Sequence, residues 1–244
     1  MKPMNVMQLL KLPLLGCLAL GFSAGASASN ILDFEGFANG QIIDDEYSAD
    51  GVTIRGFNSD RGADNIAVIF DTTLAGTADP DLEAPFYDKV GHGLGTSNPG
   101  NVLIIHEHPS ECDAYSCGSD PDDEGSRPAG YFDIVFDQAV TLNSIDFFDV
   151  EYAENGTTEK NRITVFGTGV YDPFYTPYAG GDNGWTRLDF NLVGVTGLNI
   201  KLHGSGAIDN IDFSVPTGVP APATLFVLVC GMGLLLRRRR TATA

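Results

Sequence analysis

Asp79, Asp81 and Glu83 alternate within five residues, and alternate side chains of an extended segment fall on one side. Glu107 stands just beyond the apolar run Val102–His106, and Asp122 and Asp123 follow a Pro turn. Carboxylates gathered from separate loops supply the hard oxygens that Ca²⁺ takes, six to eight at a time. If these loops meet, Asp79, Asp81, Glu83, Glu107, Asp122 and Asp123 form an oxygen cage; otherwise they are a solvated acidic loop. The spacing is not that of an EF-hand loop, whose D-x-[DN]-x-[DN]-G pattern is absent. A second pair is Glu35 with Asp209. Asp209 shares its strand parity with apolar Ile211 and Phe213, and an inward carboxylate is costly unless it is paired or coordinated.

Other reactive side chains give weaker signals. His106 and His108 would share one face of a strand, but H-x-H alone is a weak metal pattern, and the expectation is a surface pair. There is no G-x-S-x-G elbow, and a glycosidase pair cannot be chosen among 32 acids without geometry. No catalyst is identified. Tyr171, Phe174, Tyr175 and Tyr178 cluster before Trp185, the only tryptophan. Exposed rings of this kind stack on sugar faces, so Tyr175, Tyr178 and Trp185 are candidate glycan contacts. The competing reading is aromatics that cover a sheet edge.

The termini frame these residues. Lys2 and Lys11 precede and open an apolar run that reaches Phe22, and Ala26-Ser27-Ala28 is a small-residue cleavage site, so residues 1–28 read as a secretory signal peptide. A lipoprotein box at Leu14-Leu15-Gly16-Cys17 is the weaker alternative, because Leu15 is bulky and the apolar run continues past Cys17. At the other end stand Val219, Pro220, Ala221, Pro222, Ala223 and Thr224, then an apolar run from Leu225 to Leu236, then Arg237, Arg238, Arg239 and Arg240. That run of 12 residues is short against the roughly 20 of a stable membrane span. The arginines should stay cytoplasmic. The expectation is a short C-terminal transmembrane helix and transient inner-membrane insertion, with a permanent anchor as the alternative.

Removing the six basic residues of the two signals leaves 8 Lys+Arg against 32 Asp+Glu, a net charge of −24. Such a surface repels nucleic acid and anionic lipid and attracts divalent cations. Cys17 and Cys230 lie in the signals, so Cys112 and Cys117 are the pair left for an oxidising compartment. A disulfide is expected; a zinc site drawing on His106 and His108 is the alternative.

Between the signals, β-type runs recur: Ile31–Glu35, Val52–Phe57, Ile66–Phe70, Val102–His106, Tyr131–Phe136, Ser144–Val150, Ile163–Thr168, Thr186–Asn191, Leu198–Leu202 and Ala207–Ser214. Turn residues bound them and several alternate, as in Phe132, Ile134 and Phe136. No stretch carries a sustained 3.6-residue period with caps. The expected fold is all-β, a two-sheet antiparallel sandwich of jelly-roll form spanning 29–215. It carries a long acidic insertion from Asp71 to Gly130, and 216–244 form a tail.

That tail resembles the PEP-CTERM sorting signal of Gram-negative bacteria, in which a Val-Pro-Glu-Pro-like motif, an apolar helix and an Arg cluster are recognised by an exosortase. Ala221 stands where the family usually has Glu. The resemblance implies cleavage near the motif and release to the surface or extracellular matrix. The segments Leu32-Asp33-Phe34-Glu35-Gly36, Asp79–Pro85, Gly100–Ile105, Pro121–Glu124, Phe132–Val150 and Ala207–Phe213 are similar to secreted bacterial β-sandwich domains and to the end strands of carbohydrate-binding-like jelly rolls. This implies a fold and a secreted role, with no defined activity. Two functions are weighed: a non-catalytic, calcium-stabilised surface or matrix protein that binds exopolysaccharide, and a secreted polysaccharide hydrolase on the same scaffold.

Overall fold

The computed structural model describes residues 29–91, 98–118, 120–123, 127–151 and 159–216. The chain divides into a compact unit, Ser27–Thr217, and a second unit of Met1–Ala26 and Gly218–Ala244. The residues of the second unit, including the sorting motif and the apolar tail, lie outside the described ones. Among the described residues no helix is long and apolar enough to cross a membrane.

The described domain is antiparallel β structure with four single-turn 3-10 helices. Its strands are β1 (Ser29–Leu32), β2 (Val52–Asn58), β3 (Ala63–Asp64), β4 (Ala67–Asp71), β5 (Asn101–Ile105), β6 (Gly130–Phe148), β7 (Arg162–Gly167), β8 (Phe174–Tyr175), β9 (Trp185–Leu202) and β10 (Ala207–Ser214). They hydrogen-bond in the order β4-β5-β10-β6-β9-β7-β8, with β1 on β10, β2 on β6 and β3 on β2. The first and last strands pair, Leu32 opposite Ile211.

The runs 131–136 and 144–150, expected as separate strands, are largely the two halves of β6; likewise 186–191 and 198–202 belong to β9. Register shifts between Val135 and Val140 and between Leu142 and Ser144 bend β6 without ending it. In β9, Asn191 (φ 52°) and Gly194 (φ 82°) sit in the left-handed region inside the strand. Extra residues of this kind form bulges, which kink a strand while keeping its ladder. Along its second edge β6 exchanges neighbours, pairing with β2 through Gly130–Phe136 and with β10 through Thr141–Phe148.

Burial explains the two kinds of hydrophobic pattern. In β2, Val52 and Ile54 face inward while Thr53 and Arg55 do not, so one face is buried. In β4 and β5 the apolar residues are buried on both faces. Ala67, Ile69, Leu103 and Ile105 enter the main core with Phe132, Ile134, Phe147, Ile208 and Phe213. Val68, Phe70, Val102 and Ile104 enter a second core with Ile42, Leu82, Phe86, Cys117, Phe148, Trp185 and Ala207. Leu82, Phe86 and Cys117 belong to the acidic insertion, which therefore lies as a layer on the other side of these strands. Burying side chains such as Leu82 and Phe86 stabilises that contact by roughly 1.5–3 kcal/mol each.

Hydrogen bonds fix the insertion as well. The Asn183 side chain donates to the carbonyls of Asp81 (2.8 Å) and Glu83 (2.7 Å). The Cys117 amide donates to Gly40 O (2.8 Å), and the Ala84 amide to Thr72 O (2.8 Å). Cys112 and Cys117 are joined by the expected disulfide.

Candidate metal centre

Asp79 opens the 3-10 turn Pro80–Leu82. Its Oδ1 accepts the Leu82 amide (3.3 Å), and the apolar Leu82 draws the turn into the second core. Asp123 arrives from the other end of the insertion, where its Oδ2 accepts the Gly206 amide (2.7 Å) just before β10. Both are buried, at 0 % and 2 % exposure. Asp79 Oδ2 and Asp123 Oδ1 have no hydrogen-bond donor. Burial drives the Asp123 carboxyl well above the usual carboxylate range; the charge and contact of Asp79 add to this, the Gly206 amide opposes it, and Asp149 raises it further. Asp149 is buried directly after β6, with its amide donating to Gly184 O (2.9 Å). Its φ of 53° is left-handed, an uncommon conformation outside glycine that Asp tolerates better than most residues.

This arrangement is unusual in its electrostatics. Two facing carboxylates in low dielectric repel strongly, and a buried charge needs a partner. Either one carboxyl keeps its proton and donates to the other, or a cation sits with them. Hard oxygen donors of this kind suit Ca²⁺.

The second acidic group lies at the β10–β6 pairing. Asp209 stands opposite Asp146, and Asp146 stands opposite Arg187 of β9. Arg187 holds buried Asp146 in a fork, Nε to Oδ1 at 2.6 Å and one terminal nitrogen to Oδ2 at 2.9 Å. Asn210 Nδ2 donates to Asp209 Oδ2 (2.8 Å) and Asp146 Oδ2 (3.1 Å). Asp209 Oδ1 is buried without a donor. Burial pushes Asp209 up to about 9, opposed by the Asn210 backbone and reinforced by the charges of Asp146, Asp33 and Glu35. The charge of Glu35 thus reaches Asp209, while its contacts are with the start of β5. One oxygen of Glu35 is already committed, since Oε1 accepts the Asn101 amide (2.9 Å). Gly100 makes room for it: a Cβ there would overlap that oxygen, at a φ of 81° that also favours glycine.

The remaining expected ligands are placed apart or engaged differently. Asp81 is half-buried beside Asp79, with Asp182 and Lys89 as its other charged neighbours. Glu83 closes a local turn, its Oε1 accepting the amide (2.7 Å) and hydroxyl (3.0 Å) of Thr77. Asp122 Oδ2 lies 3.2 Å from His108 Nε2, and the Glu107 amide donates to Asp122 O (2.9 Å). The structure brings Asp79 and Asp123 together from the expected set. It adds Asp149 and Asp146, which the sequence reading left inside a strand.

Three expectations change in detail. His106 and His108 are not a surface pair: His106 is fully buried beside Asp122, and burial lowers its basicity. Zinc is not supported at the one donor group that includes cysteine, His106–Cys112–Cys117, because its sulfurs are tied in the disulfide. Trp185 is no sugar platform, since it is 4 % exposed and stacks on Phe148 at 6.3 Å. Tyr178 remains exposed and Tyr175 half-buried. An exposed trio, Asp44, Asp45 and Glu46, also lies within metal-ligating distance of one another.

Comparison with family models, curated proteins and solved structures gave no match.

Proposed function

We propose that this chain is a non-catalytic exported protein of the cell surface or extracellular matrix. Residues 1–28 direct its export. The tail from Val219 to Arg240 holds it transiently at the inner membrane until an exosortase-like enzyme cuts near Pro220–Pro222. What is released is a calcium-stabilised two-sheet sandwich of jelly-roll type that binds exopolysaccharide. The exchange of neighbours along bulged β6 supports the sandwich, in which strands turn corners in this way.

The observation that carries the export reading is the Cys112–Cys117 disulfide within the packed insertion, since such bonds persist in oxidising compartments. The non-catalytic reading draws support from burial. Asp123 and Asp209, the acids most displaced from ordinary titration, lie at 2 % and 1 % exposure. A general acid must come within hydrogen-bond reach of substrate. For the glycan, the exposed ring of Tyr178 offers a surface on which a sugar can stack. Intact-mass analysis of secreted protein from the native host tests the central claim. It should begin at Ser29 and lack Leu225 onward; recovery of full-tail protein from membranes alone would reject release.

A further inference from the structure

We propose that Asp79 and Asp123 form a buried site for a divalent cation of the calcium type, and that this ion fastens the acidic insertion to the sheet; the proposal rests on the reading that calcium stabilises the exported domain. The two carboxylates come from opposite ends of the insertion, and the charge of buried Asp149 acts on them from the end of β6. Asp79 caps the first turn of the insertion, Asp123 is near its end, and Asp149 follows β6. The Gly206 amide, held by Asp123, adds the lead-in to β10. An ion here therefore joins both ends of the insertion to the two central strands that carry Phe148 and Ala207 of the second core.

Asp79 Oδ2 and Asp123 Oδ1 are the decisive atoms. Each belongs to a side chain at least nine-tenths buried, each lacks a donor, and each is brought against the other carboxylate. Their second oxygens are occupied by the amides of Leu82 and Gly206. Those amides hold the carboxylates in orientation and leave one oxygen of each for a ligand. Four of the described arginines pair with other acids: Arg55 with Asp64, Arg61 with Asp60, Arg162 with Glu159 and Arg187 with Asp146. Oxygen donors select a hard cation over zinc or copper. Magnesium usually keeps several waters and strict octahedral geometry, which suits a buried carboxylate pair less well than the larger, more adaptable calcium ion.

The site also has a distinctive response to an isosteric change. In Asp123→Asn the new amide can donate to Asp79 Oδ2, which removes the repulsion and the reason for the ion together. Apo D123N should melt at or above the apo wild-type temperature and should lose the calcium response. In wild type, calcium at a hundredfold over Kd should raise melting by about 5–10 °C relative to sodium at equal ionic strength. Calcium should also slow tryptic cleavage after Lys89, the exposed lysine of the insertion.

The experiment is calcium titration of the EDTA-stripped full chain by calorimetry, with melting and trypsin protection read in parallel, for wild type, D79N, D123N and E35Q. Support requires at least tenfold weaker calcium binding and loss of the calcium-dependent gain in Lys89 protection in D123N and D79N, with E35Q retaining that gain. If wild type responds to calcium while D79N and D123N respond equally, this site is wrong and calcium binds elsewhere. If wild type responds no more to calcium than to sodium, the calcium reading itself fails and the pair holds a shared proton.

Discussion

Replacing Asp209 by Asn should flatten the pH dependence of the calcium-free protein. Burial pushes the Asp209 carboxyl up to about 9, far above its ordinary value of 3.8. Between those limits the folded protein binds a proton that the unfolded chain has released, so stability falls as pH rises. Each pH step costs up to about 1.4 kcal/mol, which makes the change from pH 5 to pH 7 on the order of 3 kcal/mol from this group. Asn mimics the protonated acid in shape and keeps an oxygen for the Asn210 side chain, which donates at 2.8 Å. The assay is urea unfolding in EDTA at pH 5, 6, 7 and 8, for wild type and D209N. Asp123 contributes a slope of the same sign to both proteins, so their difference isolates Asp209. The reasoning predicts that wild type loses on the order of 3 kcal/mol more than D209N from pH 5 to 7. Equal slopes would refute it and mean that Asp209 is ionised in the fold.

Arg187→Met should destabilise by about 3–5 kcal/mol at pH 8, because it strands the buried Asp146 charge. Chemical denaturation at pH 8 reads the loss, and a variant as stable as wild type would speak against a stranded charge. Phe86→Ala should cost about 3–5 kcal/mol and loosen the insertion, since its ring packs edge-on against Phe148 at 4.9 Å. Faster trypsin cleavage after Lys89 would report that loosening, and an unchanged cleavage rate would speak against the second core as the anchor.

Much of this architecture was readable from strand-type runs, but their joins were not. Alternation in Phe132, Ile134 and Phe136 marks one buried face, and the structure keeps it. Asn191 and Gly194 look like the end of a strand, whereas in β9 they form part of its bend. A local turn signal cannot tell a bulge from a hairpin, because the ladder partner lies far away in sequence. The continuous runs Ala67–Phe70 and Val102–Ile105 carried the sign of a second covering layer, since strands buried on both faces lose alternation. What covers them, Leu82 and Phe86, was hidden inside an acidic segment.

The site was legible by residue type and only partly by partner. Asp79 and Asp123 were selected because their loops could converge, and they do. Glu83 belonged to the same alternating set, but alternation fails where Pro80 starts a 3-10 turn. Asp149 was missed because it ends an apolar strand, and its left-handed backbone depends on tertiary contacts such as Gly184. Trp185 shows the reverse error: its composition suggests a binding ring, and its place opposite Phe148 in the ladder buries it.

The most direct test of the account is a crystal structure of the exported domain grown with calcium, with anomalous scattering recorded. The account predicts one strong anomalous peak between Asp79 Oδ2 and Asp123 Oδ1, with ligand oxygens at about 2.3–2.6 Å. A short oxygen–oxygen contact between Asp79 and Asp123, with no peak at millimolar calcium, would contradict it.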